Sequence, residues 1–437
     1  MNPSLAPVVR TSLPLIFAQL AFAVNTFVTQ FFLARHSTIA LHASLPGSML
    51  AVTLSAFFIN TLGYAGTMIA QRHGSGDEAA ADAIFSGAVL LTFISIPLFA
   101  LTAPLGLALL GIFDTNPAVF AAEAAYFKVL LVNGYFTAFA AVLGGYFTGR
   151  ARTKLVGATT VFGFLLNMAL APIFINGLCH IPTEGVIGAG WSATIAHIVP
   201  CLILAGFILR EKPLTAFRRL DQRGILELLR LGLPNGLRTV LEIGGFFCFT
   251  AFIAECAPAA VAASTAVFAV NNIPYCIIQG LSSAIEVLVG RACGQRNNAE
   301  VRNISRAATY LTATVAVLYV LILWFGQNAI LDHFLKDPNV SLDAFYQTAR
   351  LLIYIVAAKA LFEMMPLVLQ SVLRGLGETA AVCRVQAIAS FLVWIPAYGL
   401  VRLLHPTVPA YWLTMILSSL ASCALLGHVL GKKVRRV

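Results

Sequence analysis

The sequence predicts an all-α polytopic membrane protein: 12 transmembrane helices in two parallel-repeat six-helix lobes around a central cavity. Three observations predict it. Apolar runs long enough to cross a bilayer recur along the whole chain, basic residues gather on alternate connections between them, and the second half repeats landmarks of the first.

Of the 437 residues, 59% are hydrophobic and only 11% charged, with a mean hydropathy of +0.86. A soluble domain carries about 25% charged residues, so most of this chain belongs in lipid rather than around an aqueous core. Spanning a bilayer takes ~20 apolar residues in a helix. Segments of that kind fall near 13–33, 44–69, 83–109, 125–147, 155–177, 186–209, 232–254, 262–289, 307–329, 351–373, 385–403 and 408–429. Turn and charge signals separate them at Asp114-Thr-Asn-Pro, Gly149-Arg-Ala-Arg-Thr-Lys, Lys336-Asp-Pro-Asn and Arg374-Gly-Leu-Gly-Glu. The first segment is long enough to span and lacks a cleavage site, so it reads as a helix rather than a removable signal.

Orientation follows from the basic residues. With the N-terminus inside, 21 of the 28 Lys and Arg lie on the inner side and 5 on the outer, leaving Arg238 and Lys359 within spans. That asymmetry places both termini in the cytoplasm of a multi-pass cell (inner) membrane protein. It also accounts for the net charge of +10 by topology, so no nucleic-acid partner is needed. The eight cysteines show no CxxC or Cys/His metal spacing and read as buried thiols.

The repeat runs at a nearly constant offset. Pro14 and Pro234 each open a span 220 residues apart, Gly74 precedes Gly294 by 220, and Trp191 precedes Trp412 by 221. An even number of spans per repeat gives both halves the same orientation, hence parallel repeats. Residues 1–209 form the first lobe, 210–231 a basic linker with the makings of a short surface helix, and 232–437 the second lobe.

The stretch Ala357–Arg374 combines the apolar density of a span with Lys359, Glu363, Pro366 and Gln370. An ionisable group near the bilayer centre costs roughly 3 kcal/mol on insertion scales, so it marks a site more often than packing. In the first half every acid lies in a loop or near a helix end, whereas the second half carries Glu242, Glu286 and Glu363 within spans. At 1.5 Å per residue, Glu242 lies ~15 Å from the inner end of its span and Glu363 ~18 Å from the outer end of its own, both near the midplane. Glu286 stands a few residues before Arg291, close enough to reach the inner surface or pair with an arginine. Lys359 and Glu363, four apart, share a helix face as a structural pair or a regulated one. Pro366 cannot donate to the Phe362 carbonyl, and the freed oxygen suits either a cation or an ordinary packing kink. Pro274 repeats this hinge pattern behind Asn271 and Asn272, whose amides suit cation coordination or interhelical hydrogen bonds.

Several stretches resemble the multidrug and toxic compound extrusion (MATE) family. Leu13-Pro14 resembles the opening of its first helix, Gly232-Leu-Pro-Asn-Gly-Leu-Arg-Thr-Val-Leu-Glu242 that of its seventh, Gly280-Leu-Ser-Ser-Ala-Ile-Glu-Val-Leu-Val-Gly-Arg-Ala-Cys-Gly294 the end of its eighth, and Leu369-Gln-Ser-Val-Leu-Arg-Gly375 the end of its tenth. The resemblance implies a secondary antiporter exporting cationic or amphipathic small molecules in exchange for H+ or Na+. It is nearest to NorM-type members, whose seventh- and tenth-helix acids match Glu242 and Glu363; these would hold Na+ if Na+ is the coupling ion. Two positions depart from the family pattern: Lys359 replaces a tyrosine one turn before the tenth-helix acid, and Thr29 stands about where many members carry a first-helix aspartate. A flippase for lipid-linked saccharides of the same superfamily is the alternative. Neither reading calls for a cofactor or a catalytic residue, and the partners expected are a small organic substrate and the bilayer, around a monomer. An intramembrane enzyme is disfavoured by the lack of HExxH, paired aspartates or a Ser/His constellation.

Overall fold

The structure is a computed structural model that describes residues 5–36, 38–113, 117–177, 185–212, 221–254, 256, 258–334, 342–404 and 407–436. The middle of the basic linker (213–220), Glu184, and the expected breaks at 114–116 and 336–339 lie outside the described residues. Everything described is helix or short turn. The helices are α1 (Leu5–His36), α2 (Thr38–Gly63), α3 (Ala65–Gly74), α4 (Glu78–Phe113), α5 (Pro117–Gly149), α6 (Thr153–Ile175), α7 (Gly185–Glu211), α8 (Gln222–Ala254), α9 (Pro258–Gly294), α10 (Asn298–Phe334), α11 (Leu342–Gly375), α12 (Thr379–Ile388), α13 (Ile395–Leu404) and α14 (Val408–Arg436). A π-helical segment, Ala389–Trp394, joins α12 to α13.

These elements make twelve crossings, because α2 and α3 form one and α12, the π segment and α13 another. Eleven are long and apolar enough to span by composition alone. The twelfth is α8, 33 residues long, whose Glu227, Arg230, Arg238 and Glu242 interrupt its apolar run. Helix α8 also runs unbroken through residues 222–231, so the end of the expected linker is the first turns of a spanning helix. The break between α2 and α3 is local: Tyr64 keeps helical angles, and its carbonyl accepts from both Thr67 N (3.0 Å) and Met68 N (3.2 Å).

Residue contacts gather the chain into two compact units, one of Leu13–Val240 with Gly290–Arg296, the other of Met1–Ser12, Leu241–Val289 and Asn297–Val437. Between helices in lipid, close approach of backbones through small residues does the work that apolar burial does in water. In the first unit, a Cβ on Gly66 would lie 2.9 Å from Gly145 Cα and one on Gly145 3.0 Å from Gly66 Cα, so α3 and α5 meet backbone to backbone. The Gly232/Gly236 pair seats α8 on the Phe57–Thr61 turn of α2 in the same way, and Asn235 Nδ2 donates to the Asn60 carbonyl at 3.0 Å.

The repeat is written in the backbone as well as the sequence. Gly76 and Arg296, 220 apart, both take positive φ (80° and 53°) at a helix end. Their N–H groups donate to His73 O at 3.1 Å and Cys293 O at 3.0 Å. The next residues, Asp77 and Asn297, cap the following helices by accepting from Ala80 N (2.9 Å) and Glu300 N (3.0 Å). Ala151 and Gly377, 226 apart, repeat the device with φ of 60° and 84° and matching bonds to Thr148 O and Arg374 O, each 2.9 Å. Such left-handed ends satisfy the last carbonyls of a helix and let the chain reverse.

The acids of the first half are placed by cations at these same turns. Arg150 Nη2 bridges Glu78 (3.1 Å) and Asp82 (2.8 Å) and lies over the Tyr146 ring, 4.0 Å from its centroid. His73 also pairs with Glu78, and Lys212 with Asp82. Glu123, near the start of α5, is buried at 4% exposure.

Candidate functional site

The register of α11 builds one side of the site. Lys359, Glu363, Pro366 and Gln370 follow at steps of four, three and four, the spacing of a single helix face. That face borders a cavity of about 100 Å³ inside the second unit, which Glu242 enters from α8 and Trp394 from the π segment. The two glutamates singled out by depth therefore share one cavity, together with Lys359 and Pro366.

Lys359 Nζ lies 2.8 Å from Glu363 Oε1. Their exposures are unequal: the lysine side chain is 1% exposed and the glutamate 25%. The ammonium also sits 5.1 Å from the centroid of the Trp412 ring, a cation–π distance. Trp412 is held in turn by its Nε1–H, which donates to Ser264 Oγ at 2.9 Å. An ammonium this deep in a spanning region needs its partner, because breaking a buried pair costs about 3–5 kcal/mol by stranding the other charge.

Around Pro366 the expected open carbonyl is covered. Cys423 of α14 donates its thiol to the Phe362 carbonyl at 3.6 Å, supplying the bond the proline cannot. Pro274 lies buried within α9. Of the asparagines ahead of it, Asn271 is buried and accepts from Tyr319 Oη at 3.3 Å, which is the interhelical bond, and Asn272 is exposed. Glu286 finds an arginine, but across helices: Arg374 Nε of α11 donates to Glu286 Oε2 at 2.8 Å.

In the first unit Thr29 turns inward on its own helix, donating to Asn25 O at 3.0 Å. Asn167 Nδ2 reaches Asn25 Oδ1 at 2.8 Å and Thr29 Oγ1 at 3.5 Å. Asn167 is 2% exposed, and its Oδ1 has no hydrogen-bond partner among the described residues. The cluster is polar and neutral.

Sequence reasoning missed two parts of the site. Gln386 and Trp394 line the cavity from α12 and the π segment, an element with no composition signal; Gly245 makes room for the Trp394 ring, which a Cβ there would overlap. Ser418, Ser419 and Ser422 line it from α14.

A helical, twelve-crossing chain is a multi-pass membrane protein, and ionisable groups within its spans are a mark of transporters. The chain belongs to the MatE family, whose model matches twice, over residues 14–173 and 234–398. It is 25% identical to the probable multidrug resistance protein NorM of Aromatoleum aromaticum, covering 97% of this chain and 93% of that protein. It is 28% identical to the probable multidrug resistance protein NorM of Pseudomonas aeruginosa, over 92% of this chain and 82% of the relative. Among solved structures, a mutant of the Vibrio cholerae MATE transporter VcmN has the same fold, with a TM-score of 0.87 at 19% identity over 100% of this chain and 98% of that one.

Proposed function

We propose that this chain is a secondary active antiporter that exports amphipathic, cationic small molecules in exchange for H+ or Na+, with Glu242 and Glu363 as the coupling carboxylates. The observation that carries the reading is the meeting of these two glutamates, from α8 and α11, in one cavity. Carboxylates are costly at membrane depth, and neither is required to build a lobe, since the neutral Asn25–Thr29–Asn167 cluster serves the first unit. The relatives named as multidrug resistance proteins support the same substrate class.

In this scheme the coupling cation and the substrate favour opposite conformations of the transporter, so binding one promotes release of the other. The 21 to 5 partition of basic residues supports cytoplasmic termini in the inner membrane. The chain works as a monomer on small organic substrates, without nucleic acid.

The test is accumulation of a fluorescent cationic dye in cells expressing the chain. Wild type should lower it, and Glu242→Gln and Glu363→Gln, inserted to equal levels, should not. Export by either variant at the wild-type rate would remove that residue from the coupling site. Cell-envelope defects on deletion, with dye accumulation unchanged, would instead indicate a lipid-linked saccharide flippase.

A further inference from the structure

Of the two coupling ions that the exchanger reading admits, Na+ does not fit the residues present. A hard cation needs about six oxygen ligands, charged ones preferred. Here Lys359 Nζ lies 2.8 Å from Glu363 Oε1, buried to within 1% of full coverage, in the place a metal bound to that oxygen would take. The backbone oxygen that Pro366 leaves without its helical donor, that of Phe362, accepts the Cys423 thiol. Among the described residues no cluster of three or more His, Cys, Asp and Glu side chains is suited to a metal. A second cation brought to Glu363 would meet the ammonium at close range in a region of low dielectric, where like charges repel most strongly.

We propose that Lys359 is a resident counter-cation that closes the Glu363 site to Na+, so the exchange runs without Na+ and leaves the proton as the coupling ion. This rests on the exchanger reading above. The groups facing the pair are Glu242 from α8, Tyr275 from α9, Tyr319 from α10, and Gln386 and the serines from α12 and α14. None of these supplies a third carboxylate. A lysine amine is a compact charge on a flexible stem, so it reaches a buried carboxylate while its ammonium stays over the face of the Trp412 ring.

The experiment has two arms on the purified full chain. In proteoliposomes, a pH gradient without Na+ should drive uptake of a fluorescent cationic dye, and a Na+ gradient at equal pH should give no more than protein-free vesicles. In detergent, the melting temperature of wild type should be the same in NaCl and in choline chloride. Lys359→Met, with Lys359→Gln as a second variant should the first not fold, should gain a melting temperature higher in NaCl. A Na+-driven wild type, or a wild type stabilised by NaCl over choline, overturns the inference and leaves the exchanger standing. Failure of both gradients to drive the dye counts against the exchanger itself, while the melting comparison still decides whether Na+ binds.

Discussion

The thiol of Cys423 donates to the carbonyl of Phe362 at 3.6 Å, closing the gap that Pro366 opens in the backbone of α11. A cysteine among eight scattered through apolar spans thus has a definite structural task. Thiols are weak donors, so the bond is modest, but the alternative is a carbonyl left without a partner one residue before Glu363. Cys423→Ala should lower stability by at most about 1 kcal/mol, the net contribution of an ordinary intramolecular hydrogen bond. Cys423→Ser, which restores a donor, should recover part of the loss. Thermal unfolding of the purified variants checks both.

The Lys359–Glu363 pair sets a second expectation. Either single change, Lys359→Met or Glu363→Gln, strands one charge at membrane depth and should destabilise by about 3 kcal/mol or more. The double variant removes both charges and should be more stable than the sum of the singles predicts. A double-mutant cycle on unfolding free energies measures this coupling. Strict additivity would mean that the two groups do not interact in the folded protein.

How far the sequence revealed these features depends on the kind of interaction. The spans were legible because ~20 consecutive apolar residues have few alternatives to crossing lipid. Glu242 and Glu363 were legible for the converse reason, that a charge in such a run is conspicuous. Partners across helices were not: Glu286 has Arg291 nearby in sequence, yet pairs with Arg374, because the close packing at Gly375 brings α11 against α9. A Cβ on Gly375 would sit only 2.8 Å from the Glu286 carbonyl oxygen. Nor does composition announce a π segment, so Trp394 entered the site unannounced.

The repeat-related turns give a prediction in which sequence and backbone disagree. Arg296 and Ala151 hold positive φ at positions whose repeat equivalents are Gly76 and Gly377. A left-handed conformation costs a non-glycine residue roughly 1 kcal/mol. Arg296→Gly and Ala151→Gly should therefore stabilise, each by up to about 1 kcal/mol less the entropy glycine adds to the unfolded chain. Gly76→Ala and Gly377→Ala should destabilise by a similar amount. The four melting temperatures together test whether the turns are equivalent in energy as they are in geometry.

Gly245 ties packing to function most directly. It lies three residues beyond Glu242 on α8, and a Cβ there would overlap the six-membered ring of Trp394. That ring belongs to the π segment and is part of the cavity wall that also holds Glu363. An added methyl cannot be absorbed by a flexible side-chain tip, so the indole must shift, at a cost of about 1–3 kcal/mol for overpacking. Gly245→Ala should then alter Trp394 fluorescence and weaken dye transport even where the protein inserts normally. Trp394→Phe, which shrinks the ring system, should relieve the overlap and restore transport in the Gly245→Ala background. If the second change gives no rescue, the loss must come from something other than the contact between α8 and the π segment.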